Sequence, residues 1–335
     1  MIKPLLHEDP QHIGVHRLVA RLGSGGMGTV DLARSPGGRT VALKTVHAHI
    51  AADATFRTRF RLETDAARVI GGLHGAQVVD ADPLAEVPWL ATEYVLGPPL
   101  DDAVSLSGAL PEPTVRAVGA ALCGALGQLH RSDVVHRDLK PANIVLTSEG
   151  PRIIDFGIAR PEHGLTLTTT GQIPVTPGYG APEQALGHRV GPAADVFSLS
   201  AVLVYAASGQ RAFAGSQVAA VQYEVVHGQP QLSYIPEPLR ALIAPCLAKE
   251  PGLRPGPTQI AHAFTPPRRA NRVWRHGDLA SLIDRYETEA RRLLPAGSPP
   301  APMGQARRRF LTALATGGAV LAVGGGTAAW RLKDD

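Results

Sequence analysis

The chain has 335 residues, 44% of them hydrophobic, which is enough to bury a sizeable core and by length suggests about two domains. Its net charge of +4 is unevenly spread: residues 1–265 carry 21 Lys and Arg against 23 Asp and Glu, whereas residues 266–309 carry ten Arg against four acids. That places the basicity in one segment beside an apolar run and favours an anionic lipid surface over nucleic acid, a solvated linker being the alternative; Cys123 and Cys246, each in apolar sequence, exclude a disulfide framework and a CxxC metal site and read as buried thiols of a reducing compartment.

The first predicted element is a hairpin. Gly23, Ser24, Gly25, Gly26, Met27, Gly28, Thr29 and Val30 spell G-x-G-x-x-G-x-V, between Val19-Ala20 and Asp31-Leu32-Ala33. Apolar alternation on both sides predicts strand, glycine turn and strand, which argues against the strand-to-helix turn of a dinucleotide site. Glycines there let the backbone approach phosphate oxygens. The next strand carries Val41-Ala42-Leu43-Lys44. Only five of the 33 basic residues are lysines, so Lys44 and Lys140, both at motif positions, indicate a need for a compact ammonium. Phe56, Phe60 and Ala67 have helical spacing and predict a helix over 55–67 that carries Glu63 and Asp65. The apolar run 88–92 then leads into Glu93-Tyr94-Val95.

The chemistry is densest at His136-Arg137-Asp138-Leu139-Lys140-Pro141-Ala142-Asn143, followed by Asp155-Phe156-Gly157. One carboxylate can orient a hydroxyl, while an amide and a second carboxylate can hold magnesium. That is the equipment for moving a phosphoryl group, where the protein contributes positioning and electrostatic stabilisation. Downstream lie Thr166, Thr168, Thr169, Thr170 and Thr176, then Ala181-Pro182-Glu183, Asp195 and Gly252-Leu253-Arg254-Pro255.

These motifs together resemble eukaryotic-like protein kinases, most closely the bacterial membrane-anchored serine/threonine kinases, over about residues 11–265. The resemblance implies an α+β fold of two lobes, an antiparallel-sheet N-lobe (11–95) and a helical C-lobe (96–265). ATP and Mg²⁺ (or Mn²⁺) would lie in the cleft, and phosphate would pass to Ser or Thr of protein substrates. Asp138 and Lys140 become the catalytic residues, as base and γ-phosphate partner; Asn143 and Asp155 bind the metal. Nucleotide is held by residues 23–28, Val30, Ala42 and Lys44, with Glu63 pairing Lys44 (Asp65 being the alternative). Glu93 and Val95 form the hinge to adenine, and Thr92 controls the pocket behind the base. His136 reads as packing. Asp195 braces the catalytic loop, and Arg254 pairs with Glu183. Arg137 implies a receptor for a phosphorylated loop threonine among Thr168, Thr169 and Thr170, compatible with trans-autophosphorylation in a homodimer. Thr176 favours Ser/Thr acceptors. Val175 departs from the glycine usual in bacterial relatives. A pseudokinase scaffold, the rival reading, predicts loss of Lys44, Asp138, Asn143 or Asp155, and all four are present.

Residues 266–309 read as a basic juxtamembrane linker. Within it, Leu279, Leu282, Ile283, Tyr286 and Leu293 form one stripe of a helix over 278–294, against the kinase lobe or a bilayer surface. Phe310–Trp330 is an uncharged run of 21 residues after Arg307-Arg308-Arg309, expected to be a single transmembrane helix with the kinase domain cytoplasmic. Residues 331–335 would be a short external tail; since related kinases often carry a folded exterior domain after such a segment, the chain is expected to be a shortened relative or a truncated version of a longer protein.

Overall fold

Val41 and Leu43 are fully buried while Ala42 and Lys44 are only partly so, the alternation of a strand with one face against a core. The computed structural model describes residues 3–25, 28–70, 75–155, 176–265 and 270–293, all within one compact unit, Met1–Ala296. The small lobe is a six-stranded antiparallel sheet of β1 (His12–Ile13), β2 (His16–Gly25), β3 (Gly28–Arg34), β4 (Thr40–Val46), β5 (Val78–Asp82) and β6 (Trp89–Glu93). Its order is β1-β2-β3-β4-β6-β5. Leu18, Ala33, Val41, Leu43, Trp89 and Ala91 form the core on one face. Between β4 and β5 run α1 (Ala48–Ala51) and α2 (Ala54–Ile70), the latter spanning the predicted helix.

The chain enters the large lobe after β6. Gly97 has φ 144°, and a Cβ there would collide with the Leu146 carbonyl, so glycine is required where the connection crosses the large lobe. The helices are α3 (Leu100–Ser107), α4 (Glu112–Arg131), α5 (Pro182–Ala185), α6 (Pro192–Ser208), α7 (Val218–His227), α8 (Glu237–Ile243), α9 (Pro257–Ala263) and α10 (Asp278–Leu293). A two-stranded hairpin, β7 (Ile144–Thr147) and β8 (Gly150–Ile153), follows a short turn at Pro141–Asn143. From Ala194 to Ala207 nearly every α6 side chain is buried, as expected of a helix that is apolar all round. Pro192 opens it, and Gly209, at φ 72°, closes it by donating its N–H to Tyr205 O at 2.8 Å. Burial, together with the nearby Cys246 thiol, pushes the Cys123 thiol up to about 12.

The segment after 265 carries a helix where one was expected, α10. Trp274, Leu279, Leu282 and Ile283 are buried in the main core of the large lobe, and Tyr286 packs against it. The stripe therefore faces the lobe. Glu287 accepts the Ser148 N–H at 3.2 Å, and Tyr286 Oη donates to Asp102 at 3.2 Å. The reason is apolar area: one tryptophan and three aliphatic side chains gain more by covering α3 and the β7–β8 turn than by remaining solvated. Among the described residues no helix is long and apolar enough to cross a membrane. The run 310–330, the triplet 307–309 and the tail 331–335 lie outside the described residues.

Candidate active site

Residues 143 and 155 are separated in sequence by a complete hairpin. Ile144 pairs with Ile153 in the β7–β8 ladder, and Ile154 donates its N–H to Asn143 O at 3.0 Å. The ladder thus brings Asn143, at the head of β7, alongside Asp155, just past the end of β8. The Asn143 amide nitrogen donates to Asp138 O at 2.9 Å, which leaves its carbonyl oxygen as the atom to offer a cation. An amide oxygen and a carboxylate form a hard donor set suited to Mg²⁺, which binds few protein groups and keeps several waters. The residues fit the expected metal.

Asp138 is nearly buried. Its two oxygens are engaged separately: Oδ1 accepts the Thr176 hydroxyl at 2.8 Å and Oδ2 the Lys140 ammonium at 3.0 Å. The loop beneath is held by Asp195, fully buried at the start of α6. Its carboxylate accepts the N–H of His136 at 2.8 Å and of Arg137 at 2.9 Å, and lies 2.7 Å from His130 Nε2. His136 is itself fully buried, in keeping with a packing role. Arg137 has φ 63°, a left-handed conformation uncommon outside glycine.

Lys44 reaches across from β4 to Asp155, with Nζ 3.0 Å from Oδ1 and 2.9 Å from Oδ2. Burial alone would raise the Asp155 carboxyl; Lys44 overrides it and holds the group below the ordinary carboxylate range, helped by His136 and Lys140. The expected partner, Glu63, lies on α2, but its side chain is outside the described residues. Asp65 instead pairs with Arg68 at 3.2 Å.

Gly23, Ser24 and Gly25 lie on β2 and Gly28 and Val30 on β3, with Gly25 opposite Gly28, so the predicted hairpin is present. Gly26 and Met27 are outside the described residues. At Gly28 a Cβ would strike the Thr45 carbonyl, so close strand packing beside Lys44 requires this glycine. Val30 lies opposite Lys44, and Ala42 opposite Thr92. Thr92 is buried. Val95 clusters with Ala76, Val145 and Ile154, and this group joins the hinge to the floor of the cleft. Glu93 turns its side chain to Arg152, bonded through both oxygens at 2.9 and 2.8 Å, and its backbone N–H donates to Gln77 O at 2.8 Å. Desolvation would raise the Glu93 carboxyl, but Arg152 holds it below its usual value.

The segment after the threonines is anchored deeply. Arg254 binds both Glu183 oxygens, at 2.7 and 2.8 Å, donates to the carbonyls of Ala193, Ala248 and Lys249, and lies over the Phe197 ring. Thr166, Thr168, Thr169, Thr170 and Val175 lie outside the described residues. Sequence reasoning missed His130, Val145, Arg152, Ile154 and Gln184. Val145 and Ile154 flank the motif residues Asn143 and Asp155, a signal that could have found them; the other three act through long-range contacts.

A family model for the protein kinase domain matches residues 16–264. A probable serine/threonine-protein kinase, PkwA, of Thermomonospora curvata is 42% identical over 302 residues, covering 90% of this chain and 40% of its own length. Serine/threonine-protein kinase AfsK of Streptomyces coelicolor is 44% identical over 267 residues, covering 79% of this chain and 33% of its own. The chain therefore spans less than half the length of these relatives. Among solved structures, the PknI kinase domain of Mycobacterium tuberculosis superposes with a TM-score of 0.60 at 29% identity, covering 76% of this chain and 96% of that domain. Sequence and architecture agree over the same residues that build the cleft, and on that ground the chain belongs to the protein kinase family.

Proposed function

We propose that the chain transfers the γ-phosphate of ATP to serine or threonine hydroxyls of proteins. The observation that carries this reading is the Asp138 carboxylate, which receives a threonine hydroxyl on one oxygen and the Lys140 ammonium on the other. Thr176 marks the place of an acceptor hydroxyl, which Asp138 orients and whose proton it accepts. Lys140, beside it, neutralises charge on the phosphoryl group in transit. Lys44 holds the α- and β-phosphates from the small lobe. Asn143 and Asp155 would hold the metal, Mg²⁺ or Mn²⁺, which would neutralise charge on the phosphate oxygens. The hinge backbone at Glu93 and Val95 takes the adenine. Relatives named as serine/threonine-protein kinases support the choice of acceptor.

The test is an assay with labelled ATP and Mg²⁺ on the full chain. Asp138→Asn is expected to lower transfer by about 10²- to 10⁴-fold while leaving nucleotide binding intact, and Lys44→Ala to weaken both. Equal incorporation by wild type and Asp138→Asn overturns the reading. Phosphopeptide mapping of the same reaction locates any autophosphorylated threonine, which by this proposal lies at 168–170 and receives the γ-phosphate of ATP bound by a second copy of the chain.

We also propose that the chain is anchored in a membrane by residues 310–330, with its catalytic part on the cytoplasmic side. The length of the uncharged run, and the arginine triplet before it, support this placement.

A further inference from the structure

Arg137 is a non-glycine residue in the left-handed region, at φ 63°, immediately before the catalytic carboxylate. Such a conformation is strained and persists only where the surroundings determine it. Two side chains grip this residue by its backbone. Its N–H donates to Asp195 Oδ1 at 2.9 Å, and its carbonyl accepts from Gln184 Nε2 at 2.9 Å. The first grip belongs to the expected brace of the loop. The second comes from the opposite direction, out of α5, and has no counterpart in the motif chemistry.

Gln184 is buried, and both ends of its amide are used. Oε1 accepts the Ala181 N–H at 2.9 Å, which fixes the amide so that its nitrogen faces Arg137. Its neighbour Glu183 is locked to Arg254, and Thr176, from the same stretch of chain, bonds Asp138 itself. The carbonyl that Gln184 holds belongs to the peptide joining Arg137 to Asp138, so its orientation sets the Cα from which the carboxylate projects.

Resting on the phosphoryl-transfer reading above, we propose that Gln184 is a positioning residue for Asp138: its amide holds the Arg137–Asp138 peptide and thereby couples seating of the Thr176–Gln184 segment to the aim of the catalytic carboxylate. A misaimed base slows the chemical step and leaves the nucleotide site, built from the small lobe and the hinge, unchanged.

The experiment uses Gln184→Glu and Gln184→Met in the full chain, with kcat and KM for ATP measured from about pH 6 to about pH 8, near which a buried carboxyl can titrate. Glutamate keeps the shape; ionised, it confronts the Arg137 carbonyl with another acceptor, and protonated, it donates to it as the amide does. The expected result for Gln184→Glu is a kcat about 10- to 100-fold below wild type at the upper pH, with KM for ATP within about twofold. The ratio to wild type recovers as the pH falls. Gln184→Met loses kcat similarly and shows no recovery. The inference is overturned if both variants keep wild-type kcat, or if Gln184→Glu loses kcat and ATP affinity together with no return at low pH, which is what a purely structural role predicts. A wild type that transfers no phosphate sinks the kinase reading and the inference with it. A wild type that transfers, beside an indifferent Gln184→Glu, sinks the inference alone.

Discussion

Arg254 has no exposed side-chain surface, and Glu183 opposite it is almost as deeply buried. Two charges so placed are tolerable only together, because removing one leaves the other desolvated and unmatched. Arg254→Ala is expected to cost about 3–5 kcal/mol, read as a lower urea midpoint. A midpoint that hardly moves would mean that Glu183 finds water or another donor. At this scale the site residues were legible as motif positions, Lys44, Asp138, Lys140, Asn143 and Asp155, and the structure joins Lys44 to Asp155 and Lys140 to Asp138. Arg152, His130 and Gln184 were not legible, since an arginine, a histidine and a glutamine have no local signature when their partners lie 59, 65 and 47 residues away.

Helix α7 carries His227 in its last turn, and Lys249 adds a second basic group from elsewhere in the chain. Its ammonium donates to Glu224 O at 3.2 Å and Val225 O at 2.5 Å and lies 4.2 Å from the centre of the Phe213 ring. Desolvation is the largest influence on it and pulls its pKa from 10.5 down to about 8. The unfolded chain therefore binds the extra proton more tightly, and between about pH 8 and the unfolded value near 10.5 folding becomes more favourable as pH rises. Urea midpoints of wild type and Lys249→Met, measured at both ends of that window, should shift in favour of wild type toward the alkaline end; a constant difference would count against the buried ammonium. Among elements, the glycine hairpin and α2 were readable because their periodicities are strong. The helix α10 was readable as a helix, but its apolar stripe could not say which surface it covers, and only the large lobe's exposed α3 and β7–β8 turn answered that.

The described residues are organised around the large lobe, with α6 buried within it and α10 packed against it. Helix α10 ends at Leu293, and a chain ending at 296 is expected to keep its fold and, on the proposed function, its phosphoryl transfer in the labelled-ATP assay. With vesicles of anionic lipid, the full chain is expected to float and the chain ending at 296 to remain in the dense fraction; equal behaviour of the two would remove the anchor. The two-lobed architecture followed from the family resemblance that the motifs carry, whereas the packing of 270–293 did not, because arginine-rich sequence and folded helix are compatible there.

The β7–β8 hairpin gives the cleft a mechanical asymmetry. Asn143 and Asp155 sit at the two open ends of one short ladder and travel as a single body, whereas Lys44 rides on a different sheet and meets Asp155 only across the gap. Any swing of the small lobe stretches the lysine contact and leaves the spacing of the two oxygen donors untouched. On the proposed phosphoryl transfer, gaping of the jaws would loosen the grip of Lys44 on the triphosphate while the two oxygen donors keep their spacing, so spent nucleotide would depart without that spacing having to be rebuilt for the next turnover.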